Sequence, residues 1–160
     1  MDTFDITIKD NNLSYLFKFR YLTWKEAVDI EAKSYSYINN NLIPNLEKEK
    51  RIALKNTLIS IQNLNDNDFI DNESFFNLKH EIMEKIWQEF YKQNYLTADE
   101  ASFYYQCAKN YFAGDNNGPI PPIVIEVGLM KRNVISMSRE EFSKISMKEF
   151  EIINLIMSLN

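Results

Sequence analysis

The sequence is short of the residue types that most often carry chemistry. Its 160 residues include one histidine, His80, one cysteine, Cys107, and three glycines. One cysteine excludes an internal disulfide, and three scattered glycines exclude a glycine-rich phosphate-binding loop. A zinc-protease motif needs two histidines on one helix, so it is excluded as well. We therefore predict no catalytic, cofactor or metal site, and we expect a protein that is not an enzyme.

Net charge and hydropathy also exclude two classes of partner. The chain has a net charge of −5 and a pI near 5.0, whereas a nucleic-acid binder needs clustered cations to displace phosphate counterions. No apolar run approaches the roughly 20 residues of a membrane span. The first residues are acidic, unlike the basic start of a secretion signal. We expect a cytoplasmic protein with neither a nucleic-acid nor a membrane partner.

Aromatic residues are abundant, and they favour a well-packed core. The chain has eleven Phe, nine Tyr and two Trp, and its hydrophobic content is 45%. Disordered chains lack such residues. A chain of this length is expected to form one domain, 1–160.

The first 22 residues have the alternating pattern of a β-hairpin. Apolar and polar residues alternate in two stretches, and the Asp-Asn-Asn sequence at 10–12 between them is typical of a turn. The apolar positions are Phe4, Ile6, Ile8, Tyr15, Phe17, Phe19 and Tyr21.

After residue 22 the apolar period changes to that of helices. A glutamate follows three residues after each of four hydroxyl residues, which is the capping-box pattern of a helix start. These four residues are Thr23, Thr97, Ser138 and Ser146. The first helix is predicted to end at Asn39–Asn41, and the fourth to end at Gly114.

Helical spacing also predicts the elements between these starts. A second helix is predicted to follow Pro44, since Leu54, Leu58 and Ile61 continue one stripe. Residues 63–72 are polar and acidic, and we predict a loop there. A third helix is predicted over 73–94. The whole pattern predicts a mainly α, bundle-like single domain of five to seven helices with a small N-terminal β-hairpin. Its predicted parts are the hairpin 1–22, a core of long helices 23–114, and a C-terminal part 115–160. The C-terminal part consists of a proline-rich hydrophobic segment followed by short helices.

Two side chains invite a chemical hypothesis. His80 and Glu84 are spaced as two ligands on one helix face, but no third ligand is evident, and a histidine at the edge of the core is the better interpretation. Cys107 has only His80 as a possible base, so a buried thiol is favoured. An enzyme hypothesis would require His80, Glu84 and Cys107 to converge in one pocket.

The segment 118–131 has too many apolar residues for a solvated loop. It is either a core element or a hydrophobic surface that docks a partner, and its length does not decide between helix and strand. The candidate partner-binding residues are Ile120, Ile123, Val124, Ile125, Val127 and Met130. The N-terminal hairpin, with Phe17 and Phe19, is the second candidate surface because a hairpin has an unpaired edge.

Two stretches carry a family resemblance. The run Phe-Lys-Phe-Arg-Tyr-Leu-Thr-Trp-Lys-Glu at 17–26 resembles the opening of small tail and baseplate assembly proteins of contractile-tailed bacteriophages. Residues 134–159, which follow the hydrophobic segment, are similar to the ending of those proteins. The resemblance implies a non-enzymatic factor that helps to assemble the tail or the baseplate hub in the host cytoplasm or in the virion. It carries over no catalytic residues.

We therefore expect a protein-binding factor in phage tail or baseplate assembly that buries apolar surface against another tail protein. The alternative is an acidic helical inhibitor or immunity-type protein that neutralises a basic enzyme. That alternative predicts an acidic face, such as residues 66–73, and binding that weakens with salt.

Overall fold

The structure is a computed structural model that describes residues 2–115 and 117–160. The chain forms two compact units, Met1–Asn94 and Tyr95–Asn160. The boundary between them lies inside the stretch 23–114 that was predicted as one helical core.

The first unit combines strands and helices. In chain order its elements are β1 (Thr3–Asp10), β2 (Leu13–Arg20), α1 (Trp24–Ser34), β3 (Ser36–Ile38), β4 (Asn41–Ile43), α2 (Leu46–Thr57), β5 (Leu58–Asn63), β6 (Asp68–Ile70), a 3-10 helix (Asn72–Asn77) and α3 (His80–Asn94). The second unit is helical, with α4 (Ala98–Phe112), α5 (Pro122–Lys131), α6 (Arg139–Lys144) and α7 (Met147–Met157).

The mainly α prediction is wrong, because the first unit is built on an antiparallel sheet. The N-terminal hairpin is present, but β5 and β6 extend it to four strands in the order β1-β2-β5-β6. Helix accounts for 54% and strand for 21% of the residues, so the fold is mixed α/β. The predicted second helix ends at Thr57, and Ile61 pairs instead with Phe17 of β2 and Ile70 of β6. Strand pairing over a long sequence distance overrides local helical spacing here.

A second hairpin replaces the predicted end of the first helix. Helix α1 stops at Ser34, and β3 and β4 form a separate two-stranded sheet. Asn39 and Asn40 have φ of 49° and 63°, which suits a two-residue type I′ turn between antiparallel strands. The asparagines therefore reverse the chain between two strands.

Aromatic rings fill the space between the sheet and the helix that packs on it. Phe19 is fully buried, and its ring centroid lies 5.8 Å from Phe4, 6.4 Å from Phe75 and 5.5 Å from Phe90. These partners come from β1, the 3-10 helix and α3. A buried Asn94 ends α3 and accepts a 2.7 Å hydrogen bond from the Leu22 N–H, which ties the helix to the end of β2.

The second unit has its own core, which includes the hydrophobic segment 118–131. Residues Pro122–Lys131 of that segment form helix α5, so the part 123–130 is helix and not strand. Helices α4, α5 and α7 pack together around Ala108, Val124, Val127, Ile152 and Ile156. The predicted capping boxes at Thr23, Thr97, Ser138 and Ser146 are confirmed, each with both reciprocal hydrogen bonds.

Candidate partner-binding surface

The β3–β4 hairpin exposes a dense group of apolar side chains. The exposed fractions are 78% for Tyr37, 51% for Ile38, 56% for Leu42 and 40% for Ile43. Single exposed apolar residues are normal on a protein surface, but four among the eight residues 36–43 form a patch. We call these four side chains the hairpin patch.

The strand register spreads the hairpin patch over both faces of the two-stranded sheet. Tyr37 pairs directly with Leu42, so these two side chains share one face. Ile38 and Ile43 lie on the other face, because side chains alternate along each strand. A two-stranded hairpin is marginally stable alone. The patch therefore presents apolar side chains on both faces of an element that gains stability when another surface covers it.

The backbone of the hairpin is also open at its sides. Among the residues that the structure describes, this sheet consists of β3 and β4, so each strand has one edge without a strand neighbour. Unpaired N–H and C=O groups on such an edge can accept an added strand from another chain.

Two carboxylates lie near the base of the hairpin. Glu31 is one helical turn before the end of α1, and Glu49 is one turn inside α2. Helices α1 and α2 pack against each other. Burial raises the pKa of the Glu49 carboxyl, and the negative charge of Glu31 raises it further. The Asn45 amide also donates a 3.4 Å hydrogen bond to the Ser36 hydroxyl at the base of the hairpin, so the end of α1 and the start of α2, which carry the two carboxylates, lie close together.

The residues predicted to bind a partner lie mainly in the two cores. Phe17, Phe19, Val124 and Val127 are fully buried, so in this fold they are not available to a partner. Ile120, Ile123 and Met130 are half-buried and pack against the second core. Of the predicted set only Ile125 is exposed. The excess of apolar residues in 118–131 reflects a helix that is buried over much of its surface.

The sequence around the hairpin patch carries a local signal for a turn. Tyr37-Ile38 and Leu42-Ile43 flank an Asn-rich turn, and two apolar pairs around two asparagines are typical of a type I′ hairpin. Such a pattern predicts the hairpin, but it does not predict that both faces remain exposed.

The acidic stretch 66–73 is divided between a short strand and a 3-10 helix, and its four carboxylate residues are exposed. Asp68 begins the short strand β6, and Asp71 caps the 3-10 helix by accepting a 3.2 Å hydrogen bond from the Glu73 N–H. Phe69, in the same strand as Asp68, is exposed.

A second group of polar side chains lies between α2 and α3. The ligand atoms of Glu47, His80 and Glu84 lie within 4.8 Å of one another. They line a cavity of about 120 Å³ whose apolar wall includes Leu54 and Trp87. Two of the three residues that the enzyme hypothesis named, His80 and Glu84, do come together, whereas Cys107 belongs to the second unit.

A lysine already forms ion pairs with both carboxylates of this group. The Lys50 ammonium lies 2.6 Å from the Glu84 carboxylate and 3.2 Å from that of Glu47. Burial lowers the pKa of Lys50, but its hydrogen bonds to Glu84 and Glu47 outweigh burial and raise it. A divalent cation at this site would compete with the ammonium for the same two carboxylates. The group is better explained as a partly buried ion pair that fastens α2 to α3 than as a metal site.

Comparisons with known proteins add no family to this picture. No protein-family model matches the chain, and neither a curated protein nor a solved structure matches it. Within residues 2–115 and 117–160, no helix combines the length and the apolar composition that crossing a membrane requires.

Proposed function

We propose that this chain is a non-enzymatic protein-binding factor that acts by burying the hairpin patch against another protein. The observation that carries the proposal is the exposure of Tyr37, Ile38, Leu42 and Ile43 on both faces of one short hairpin. Contiguous exposed apolar groups of this kind mark interaction surfaces in soluble proteins. Aromatic residues such as Tyr37 are also enriched at the centres of interfaces.

The proposal includes a class of partner. The resemblance of residues 17–26 and 134–159 to tail and baseplate assembly proteins suggests that the partner is a phage tail or baseplate component. Assembly would then take place in the host cytoplasm, with the protein either leaving or staying in the virion. The resembling residues form the end of β2, the start of α1 and the helices α6 and α7, and those that are buried, such as Phe19 and Ile156, belong to the two cores.

Purification of the tagged chain from the cells that naturally make it tests the proposal. The informative variant is Tyr37→Ser/Leu42→Ser, which removes most of one face of the hairpin patch. We expect a stoichiometric partner with the wild-type chain and a loss of at least tenfold with this variant, because anchors at the centre of an interface dominate its affinity.

The matched control removes exposed apolar side chains elsewhere. Val134 and Ile135 in the second unit are also exposed, so Val134→Ser/Ile135→Ser tests whether any loss of surface hydrophobicity weakens binding. The control should retain the partner. Equal recovery with both variants would overturn the role of the hairpin, and a partner that is not a tail or baseplate protein would overturn the tail assignment alone.

A further inference from the structure

The two carboxylates at the base of the hairpin lack a cation. Lys33 on α1 pairs with Asp29 at 2.6 Å, and Lys50 on α2 pairs with Glu84 and Glu47. Within residues 2–115 and 117–160, neither Glu31 nor Glu49 has an ion-pair partner. The helix positions three and four residues from each of them hold no lysine or arginine. The folded chain therefore keeps two like charges together without neutralising them.

Docking on the hairpin would make this repulsion worse unless the partner supplies a cation. A protein surface that covers the hairpin patch removes water near its base, and charges interact more strongly when water is excluded. A buried carboxylate without a counter-charge is strongly unfavourable. A lysine or arginine on the partner would instead interact with both carboxylates at once.

A second copy of this chain does not meet the requirement. Each copy has a net charge of −5 and would bring its own Glu31 and Glu49 to a hairpin-to-hairpin contact. Four carboxylates would then lie at one interface, and like-charge juxtaposition disfavours such a contact. The charge of this site selects a different molecule, one that is locally basic.

The open edges of the hairpin define the conformation of that molecule. A two-stranded sheet with a free edge on each strand accepts an extended segment as a third strand, whose alternate side chains lie beside Tyr37 at the β3 edge or beside Leu42 at the β4 edge. We propose that the ligand of this surface is an extended, β-strand-forming segment of another protein in which apolar residues alternate and a lysine or arginine reaches Glu31 and Glu49. This inference rests on the proposed function and specifies its partner.

Selection from a random peptide display library tests the inference without a known partner. The baits are the full wild-type chain, Glu31→Gln/Glu49→Gln, Tyr37→Ser/Leu42→Ser, and the control Glu81→Gln/Glu89→Gln, which removes two charges from exposed positions of α3. Circular dichroism and thermal melting establish that each bait is folded before selection.

Wild type and the control should enrich peptides with alternating β-branched or aromatic residues and at least one lysine or arginine. A synthetic peptide of the enriched sequence should bind Glu31→Gln/Glu49→Gln about tenfold more weakly than wild type. Higher salt should weaken binding to wild type more than to this variant, because salt screens exposed charges.

The outcomes separate the two proposals. Enriched peptides that lose binding to Tyr37→Ser/Leu42→Ser, but are neutral or acidic or bind the Gln variant equally well, would overturn the basic ligand and leave the hairpin as the binding surface. Failure to enrich any peptide whose binding depends on Tyr37 and Leu42 would overturn both.

Discussion

Replacing Phe19 by alanine separates two accounts of the N-terminal hairpin. If Phe19 belonged to a partner surface, as its pattern first suggested, the free energy of unfolding would change by less than about 0.5 kcal/mol. In the structure the ring is fully buried among Phe4, Phe75 and Phe90. The substitution must therefore leave a cavity that rings from three different elements cannot easily close.

The expected magnitude follows from that packing. Truncation of a buried phenylalanine to alanine costs about 3–5 kcal/mol, and we expect about 4 kcal/mol because the flanking rings belong to separate elements. A unit of this size has a total stability on the order of 5–14 kcal/mol. The variant should therefore fold, with a melting temperature lower by roughly 15–30 °C.

Urea unfolding followed by tryptophan fluorescence measures this loss in the correct unit. Both tryptophans, Trp24 and Trp87, lie in the first unit, so their signal reports on the core that contains Phe19. The matched control is Tyr37→Ala, an exposed aromatic residue of the same unit, for which we expect a change below about 1 kcal/mol. A loss below about 1 kcal/mol for Phe19→Ala, at an unchanged denaturant slope, would refute the packing described here.

Three further predictions concern charge, close packing and the turn. The pKa of Glu49 is raised in the folded state, so ionisation of its carboxyl group lowers the stability of the fold as pH rises through that pKa. Glu49→Gln should therefore increase the free energy of unfolding, measured with urea, at about pH 7.5. The same substitution should have no effect well below the ordinary glutamate pKa of 4.5. A Cβ on Gly128 would lie 2.4 Å from the Tyr111 ring, so Gly128→Ala should cost about 1–3 kcal/mol in thermal unfolding, and Tyr111→Leu should recover part of that loss. Asn40 has a positive φ, so Asn40→Gly should keep the hairpin and Asn40→Val should disrupt it, which nuclear Overhauser contacts between strands β3 and β4 would report.

The helix starts were predictable from the sequence because a capping box is a local interaction. A hydroxyl and a glutamate three residues apart satisfy each other's neighbouring N–H groups whatever the rest of the chain does. The four predicted helix starts, at Thr23, Thr97, Ser138 and Ser146, are therefore present in the structure. The left-handed Gly114, with φ of 73°, ends α4 as predicted for the same reason.

The extended sheet was not predictable from local pattern, because strand pairing is decided by distant residues. Leu58 and Ile61 fit a helical stripe after Leu54, but Ile61 gains more by packing in the sheet beside Phe17. A related reason applies to the candidate partner-binding residues, most of which lie in the two cores. Alternation and apolar density identify residues that avoid water, but they do not tell whether this chain or another one covers them. Val124 is covered by its own unit and Tyr37 is not.

Site-specific photo-crosslinking tests the central claim, that the hairpin is where a partner binds. Tyr37 is replaced by the photo-reactive amino acid p-benzoylphenylalanine in the cells that naturally make the protein, and the same amino acid is placed at Gln88, an exposed position of α3, as the control. We expect a single crosslinked partner at position 37, at a yield several-fold above that at position 88, and loss of that crosslink when Leu42→Ser is added. Equal yields at the two positions, or a yield at position 37 that does not depend on Leu42, would contradict it.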